Sequence, residues 1–520
     1  MKSTDLLPPV GLTPEEAVQE LQDALTLGRG EVHESERRYF DTFDGRVRAA
    51  GLLVRHEPAA GGQSPGRLSL LDGETGAERA VATSAAPAGP LQVLPLPPGP
   101  LGDRLAGILG ERALILLARI DTRVHAFGVL DAEGKTVVRL ALQEPMLVSA
   151  SGWRRPLRQR LSLVPVRGYE REGPRVTATL EPLGFTAAER PLVDEAVIAG
   201  GGTPGGVSAK IEVKLAPSQR ADAAAAAVLR RLAEVIEANL EGTIADLDAE
   251  FLHDFRVSVR RSRAVQREFR GTFPAETLER FRSEFRWLQL ITGVSRDLDV
   301  YVLEFEAMRA LVPGPIRSDL DPLGKVLLDR RLVARRTMAR ALRSERATTL
   351  RRDWEAFLEE LVGLPDDGRP DAGRAIGQLV GERIAKVYRK MVKLGSAIDA
   401  DTPPEAYHDL RKKGKELRYL LELFGAALFP GDVVKPMIKT LKALQDVLGR
   451  HQDREVQVAT LHELSEEVSA RPGGAAALMA MGVLVQRLQE EERTARDEFA
   501  EHFAGFSAKA QRRLVKETFA

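Results

Sequence analysis

The chain has 520 residues, 43% of them hydrophobic and 29% charged, enough apolar material for real cores and a length that allows two to four domains. Its 75 basic and 75 acidic residues cancel, so any polyanion site must come from local segregation of charge. There is no cysteine, which excludes disulfides, thiolate metal sites and cysteine nucleophiles. The opening MKSTDLLPPVGLTPEE lacks the apolar run of a secretory signal, and the most apolar stretch, Ala113 to Ala118, is far too short to span a bilayer. The expectation is a soluble, cytoplasmic protein. Aromatics are only 5%, which disfavours a base-stacking surface for single-stranded nucleic acid.

Residues 1–198 hold short runs of strand character, such as Gly66 to Leu71 and Thr136 to Leu142, punctuated by turn signals at Asp44-Gly45, Asp72-Gly73 and Glu133-Gly134. A Pro-rich stretch runs from Pro87 to Pro100, and 102–118 and 169–184 are candidate short helices. This part reads as an α+β domain with antiparallel strands. Residues 199–209 begin AGGGTPGGVS, a flexible linker by composition. A strand-like segment, Ile211 to Leu215, opens a second domain over 210–515. From about Arg220 onward the pattern is helical, with proline confined to turns.

The helical part repeats itself. His253-Asp254-Phe255-Arg256 recurs as His408-Asp409-Leu410-Arg411, 155 positions later, and Arg260, Arg263 and Phe269 match Lys415, Arg418 and Phe424 at the same offset. Leu288-Gln289, Gly293 and Asp297 match Leu444-Gln445, Gly449 and Asp453 at an offset of 156. The period is too long for a solenoid and implies two copies of a bundle of about four helices, over about 220–346 and 374–505, fused into one all-α domain.

On a helix turning about 100° per residue, His253, Arg256, Arg260, Arg263 and Arg267 share one face, with Asp254 and Glu268 pointing elsewhere. His408, Arg411, Lys415 and Arg418 repeat that stripe, opposite an apolar face of Leu410, Leu417, Leu420, Leu421 and Phe424. A third stripe, Arg383, Lys386, Lys390 and Lys393, has the same spacing. Solvated helices usually interleave acids at i+3 or i+4. Here like charges stack instead, so either buried carboxylates, with Asp297, Asp299 and Asp453 as candidates, or an external polyanion must offset the repulsion. Neither His253 nor His408 has a second histidine or a carboxylate at i+4 on its face, which argues against metal. They either donate to phosphate or anchor a helix N-terminus. Arginine forks bind phosphate oxygens bidentately. With few aromatics to read bases, a linear phosphate polymer fits best.

These residues resemble the CHAD family, the conserved-histidine α-helical domains, through EFLHDFRVSVRRSR (250–263), RWLQLITGVSRDLDV (286–300), YHDLRKKGKELRYLLELF (407–424) and LKALQDVLGRHQD (441–453). The likeness covers about 210–510. It implies two four-helix repeats around a basic cavity, binding of inorganic polyphosphate and association with polyphosphate granules. It implies His253, Arg256, Arg260, Arg263, His408, Arg411, Lys415 and Arg418 as ligand residues; Arg267, Arg383, Lys386, Lys390 and Lys393 follow from helical spacing.

The first half resembles the CYTH domains, the triphosphate tunnel enzymes, through RRYFDTFDGRVRAAGLLVRH (37–56), ARIDTRVHAFGVLDAEGKTVVRLALQEP (118–145) and PVRGYEREGPRVTATLEPLGF (165–185). It departs from them where metal would sit. No E-x-E-x-K strand opens the chain; Glu34-Ser35-Glu36-Arg37-Arg38 mimics one, but abuts the YFDT segment, and Glu212 with Lys214 gives half of one. Arg46, Arg48, Arg55, Arg119, Arg123 and Arg139 either line a basic tunnel or alternate outward from a half-buried sheet. Without carboxylates to place Mg²⁺, phosphoryl transfer loses its main electrostatic aid, so a non-catalytic, degenerate domain without cofactor is expected. The competing readings are a Mg²⁺- or Mn²⁺-dependent triphosphatase, a nucleic-acid or nucleotide binder, and a scaffold whose basic faces are neutralised internally.

Overall fold

The alternating runs of the first part pair into one antiparallel sheet. The computed structural model describes residues 4–59, 65–89, 91–399 and 402–519, in two units, Met1–Ala209 and Lys210–Ala520. The strands of the first unit are β1 (Thr4–Leu7), β2 (Glu31–Asp41), β3 (Leu52–Glu57), β4 (Gly66–Asp72), β5 (Glu78–Ser84), β6 (Ile115–Leu130), β7 (Thr136–Val148), β8 (Arg154–Pro156), β9 (Arg160–Pro165) and β10 (Thr186–Ala187). Their order is β10-β1-β9-β7-β6-β2-β3-β4-β5, with β8 on β7. The helices are α1 (Pro14–Ala24), α2 (Arg46–Ala49), α3 (Pro100–Leu109), α4 (Glu172–Leu180) and α5 (Leu192–Ala199). The helix expected over 102–118 stops at Leu109, and Ile115 already belongs to β6. Gly110, at φ +57°, ends it in a backbone conformation that side chains disfavour.

Register decides what each sheet face carries. Leu140, Leu142, Leu161 and Leu163 pack under α1 and α4, and Phe40, Val54, Leu68 and Leu70 pack under α3. The opposite face carries a polar row across the sheet. Arg37 donates to Gln143 (3.2 Å), Gln143 to Ser162 (2.8 Å), and Ser162 to Asp5 (2.6 Å). The glycine-rich stretch is tied down within this unit: the Val207 N–H donates to the Phe43 carbonyl (2.9 Å). At Gly206, with φ +77°, a Cβ would stand 2.3 Å from that oxygen, so only glycine fits.

The second unit is helical throughout: α6 (Ala221–Ala245), α7 (Ala249–Glu268), α8 (Ala275–Ile291), α9 (Gly293–Leu311), α10 (Asp321–Leu342), α11 (Glu345–Glu360), α12 (Ile376–Gly395), α13 (Pro404–Leu420), α14 (Ala426–Leu428), α15 (Gly431–Ser469), α16 (Gly474–Phe506) and α17 (Lys509–Phe519). Ile211, Val213 and Leu215 form no strand; they pack on the helical core. By the repeat offsets, α12 and α13 correspond to α6 and α7, α16 to α10, and the 39-residue α15 to α8 and α9 together. The difference lies at one turn. In the first copy Arg256 donates to the Gln289 carbonyl (2.8 Å) and to Thr292 Oγ1 (2.8 Å), while the Thr292 hydroxyl donates to the Leu288 carbonyl (2.7 Å). Side chains thus occupy carbonyls that an unbroken helix would use. In the second copy Leu448 replaces Thr292, Arg411 turns to Asp453 (3.2 Å), and the helix runs on.

The copies meet through reciprocal contacts. Arg261 pairs with Glu422 (2.8 Å) and Arg267 with Glu416 (3.1 Å); by the 155-residue offset Glu416 is the equivalent of Arg261, and Glu422 of Arg267. The equivalent rings of Phe269 and Phe424 touch each other, 4.7 Å between centroids. Tyr301 donates to Thr460 (2.7 Å) and Gln457 to Glu304 (2.9 Å), again a swapped pair at the 156-residue offset. Residue i touching j′ while j touches i′ is the signature of a two-fold axis. Here it relates α7 to α13 and α9 to the end of α15 within one chain. No helix among the described residues is long and apolar enough to cross a membrane.

Candidate functional site

α7 starts at Asp248, whose carboxylate accepts from the Glu250 and Phe251 N–H groups (2.9 and 3.1 Å). Phe251, Leu252, Phe255 and Val259 then bury one face. α13 starts at prolines 403 and 404 and buries Leu410, Leu417 and Leu420. Burial of these faces turns part of each basic stripe toward a common space, a cavity of about 740 Å³ between α7, α8 and α13. α7 supplies Arg260, Arg263 and Arg267; α8 supplies Arg282 and Arg286; α13 supplies His408, Lys412, Lys413 and Lys415. Glu279 and Glu416 are the acidic residues of the lining. At its wall Gln266 is 0% exposed, and neither end of its amide has a hydrogen-bond partner.

Of the residues singled out from the sequence, Arg260, Arg263, Arg267, His408 and Lys415 are brought together here. The others lie elsewhere. Arg256 is 9% exposed and locks α7 to the α8–α9 turn, and Arg411 meets Asp453 (3.2 Å). His253 is half-buried on α7. Arg418 donates to Gln445 (2.8 Å) and contacts Glu422 (3.3 Å). Arg383 is held by Asp371 (3.3 Å), while Lys386, Lys390 and Lys393 are exposed on α12. Arg282, Arg286, Lys412 and Lys413 escaped the sequence reading. Arg282 and Arg286 do stand at i, i+4, but Glu279 and Glu284 interleave them and disguise the pair as an ordinary solvated face.

The carboxylates proposed as internal partners serve only part of the stripes. Asp453 meets Arg411 (3.2 Å), Asp299 is taken by Arg331 (2.8 Å) and Arg335, and Arg267 is met by Glu268 (2.8 Å) and Glu416. Among the described residues no carboxylate stands within ion-pairing distance of Arg260, Arg263, Arg286 or Lys415. Arg263 instead donates to the Gln289 side-chain carbonyl, and burial, then Arg267, Arg286 and Arg282, pushes its pKa down. Burial, then Arg411 and Arg260, pushes the Lys415 ammonium down to about 8, against Asp453. Burial pushes Arg256 down to about 10 although Asp297 opposes it, and burial raises Asp297.

In the sheet unit the corresponding question has a different answer. Glu36 is gripped by Arg38 (2.5 Å) and Arg119 (2.8 Å), so the residues present do not fit a divalent-metal clamp. Glu34 is exposed on β2. Arg46 and Arg48 sit on α2 rather than on a strand, the first against Asp44 (3.0 Å), the second clasping Asp194. Arg55 contacts Glu57 (3.3 Å), and Arg123 and Arg139 are exposed. No group of three or more His, Asp or Glu able to hold a metal occurs among the described residues.

Residues 227–462 match the CHAD domain family. Two uncharacterized proteins of Mycobacterium tuberculosis, from strains CDC 1551 / Oshkosh and ATCC 25618 / H37Rv, are each 28% identical over 228 residues, 43% of this chain and 42% of theirs. The chain thus matches less than half the length of these curated relatives. Among solved structures, the CHAD domain from the plant Ricinus communis is 24% identical (TM-score 0.47), covering 56% of this chain and 95% of that one. PptA from Streptomyces chartreusis is 18% identical (TM-score 0.42), covering 55% and 99%. HpAC1 from Hippeastrum, described as having a dominant triphosphatase activity, is 16% identical (TM-score 0.25), covering 39% and 97%.

Proposed function

With residues 227–462 a CHAD domain, we propose that the chain binds inorganic polyphosphate, held by the cations of the α7–α8–α13 cavity, and that in the cell it associates with polyphosphate granules from the cytoplasm. One observation carries the reading: Arg260, Arg263, Arg286 and Lys415 converge from three helices and, among the described residues, no carboxylate stands within ion-pairing distance of them. A folded chain holds such a cluster against its own repulsion, and a polyanion that fills the cavity relieves it. Arginine forks and lysine ammonium groups complement phosphoryl oxygens. Tyr419 is the aromatic of the lining, too little to stack successive bases, which favours a baseless polymer over nucleic acid. The ion-paired state of Glu36 supports a non-catalytic sheet unit; a phosphate-release assay on triphosphate with Mg²⁺ or Mn²⁺ tests it, and turnover above a metal-free control would reject it.

The test of the main reading is titration of the full chain with long-chain polyphosphate across a salt series, with single-stranded DNA as competitor. Binding should weaken linearly in log–log form as condensed counterions are released, and DNA should not displace the ligand. Absence of binding at low salt would remove the proposal.

A further inference from the structure

Helix α8 lines two cavities with two of its faces. One face carries Arg282 and Arg286 into the basic cavity, and the other carries Phe285 and Leu288 into a second cavity, of about 640 Å³, between α6, α8 and α11. The wall of this second cavity is apolar, with Leu350, Trp354 and Leu358 four residues apart along one side of α11. Its rim is acidic: Glu234 and Glu237 of α6 and Glu355 and Glu359 of α11 stand against the guanidiniums of Arg230 and Arg351. Both guanidiniums are already engaged. Arg230 donates to the Leu358 carbonyl (2.5 Å), and Arg351 pairs across the cavity mouth with Glu237 (2.5 Å) rather than with Glu355, one turn along its own helix. Glu234 is met by Arg231 (2.8 Å). Among the described residues no cation stands within ion-pairing distance of Glu355 or Glu359. These two are spaced i, i+4, where like charges repel.

A second, independent feature lies in the wall. Trp354 is 3% exposed, and its indole N–H is buried with no hydrogen-bond partner. The rings packed on it, those of Phe281, Phe285 and Phe357, are hydrocarbon and offer no acceptor. A buried donor left unpaired is costly, and an acceptor brought by a ligand removes that cost. We infer that this cavity is a binding site for a small organic cation, with an apolar body between α6 and α11, a protonated amine at Glu355 and Glu359, and an acceptor oxygen on the Trp354 N–H. Its size and its apolar lining with a few polar groups are those of a small-molecule site between bundle helices. An anion would meet Glu355 and Glu359 as like charges, so the two cavities on α8 select ligands of opposite sign. The inference does not depend on the polyphosphate reading.

Ligand-observed NMR titration of the full chain with tyramine tests this, since tyramine carries an ammonium, an aromatic body and a phenolic oxygen. Two relatives each lack one group: para-ethylphenol has no ammonium, and phenethylamine has no oxygen. Tyramine should bind saturably, with para-ethylphenol about tenfold weaker and phenethylamine about fivefold weaker, the scale of one charge-assisted and one neutral hydrogen bond. E355Q combined with E359Q, both positions exposed, should abolish the advantage of tyramine over para-ethylphenol. W354F should abolish its advantage over phenethylamine; should W354F impair folding, the comparison of the two amines on the unaltered chain carries the same reading. Absence of saturable tyramine binding, binding no tighter than that of either relative, or binding that E355Q with E359Q leaves unchanged overturns the inference. None of these outcomes bears on polyphosphate binding in the other cavity.

Discussion

The sheet unit and the helical cavity are both rich in arginine, and they treat it in opposite ways. On the sheet, Arg48 forks onto Asp194 (2.5 and 2.8 Å), Arg160 lies between Asp5 (3.5 Å) and Glu195 (2.7 Å), and Arg119 between Glu36 (2.8 Å) and Asp121 (3.4 Å). In the cavity, Arg260, Arg263, Arg286 and Lys415 have no carboxylate within ion-pairing distance among the described residues. Density of positive charge therefore does not mark a binding surface; what marks it is whether the fold supplies the counter-charge. Paired arginines are part of the structure's own bookkeeping, and unpaired ones are open to a partner from outside.

Charge reversal should break the comparison most visibly. R263E combined with R286E is expected to weaken long-chain polyphosphate binding by about 100-fold or more, since two charge-assisted contacts become repulsions. R119Q in the sheet unit should leave the affinity unchanged. Equal losses from the two would show that pairing does not distinguish the regions. Next in size is stability. Asp222 and Arg369, 0% and 1% exposed, pair at 3.3 Å. D222A removes the buried carboxylate partner of a guanidinium that the Pro365, Thr272 and Leu361 carbonyls still hold and is expected to cost about 1.5–3 kcal/mol, read as a lowered urea midpoint, with saturable binding retained below that midpoint.

Lys415 sharpens the comparison through pH. Its folded pKa of about 8 lies below the ordinary 10.5, so between those values the unfolded chain binds more protons. The sign is therefore that stability rises with pH through that window. Binding runs the other way: the ligand needs the ammonium form, so affinity should fall several-fold from pH 7 to pH 9. In K415R, which keeps its charge, the fall should vanish. A wild-type decline matched by K415R would assign the effect to some other group.

Much of this was legible in the chain itself, for physical reasons that differ by region. The repeat exposed the helix pairs, and a 3.6-residue period shows which residues share a face, so α7 and α13 and their stripes could be placed. Periodicity says nothing about which faces meet. It could not show that Arg256 turns inward to Thr292, that the end of one stripe adjoins the start of the other, or that α8 completes the cavity with Arg282 and Arg286. The sheet's antiparallel character followed from its turn signals. The helix expected over 102–118 was too long because the apolar run from Ala113 to Ala118 suits a buried strand as well as a helix. The swapped pairs Arg261–Glu422 and Arg267–Glu416 were present in the sequence as opposite charges at equivalent positions, but only contact reveals them as an axis.

The smallest expected effect concerns the third stripe. Lys386, Lys390 and Lys393 share a face of α12 but are exposed and do not line the cavity. Water screens them, so they can add to the long-range field without forming oriented contacts. Replacing all three by alanine is expected to lower affinity for long-chain polyphosphate by about threefold or less at physiological salt. The same change should reduce the slope of log affinity against log salt, because fewer counterions are displaced when a long chain passes near the helix. Tripolyphosphate, confined to the cavity, should bind the triple variant as it binds the wild type. A loss as large as that of R263E with R286E would extend the binding surface along α12 and move the boundary between paired and unpaired cations with it.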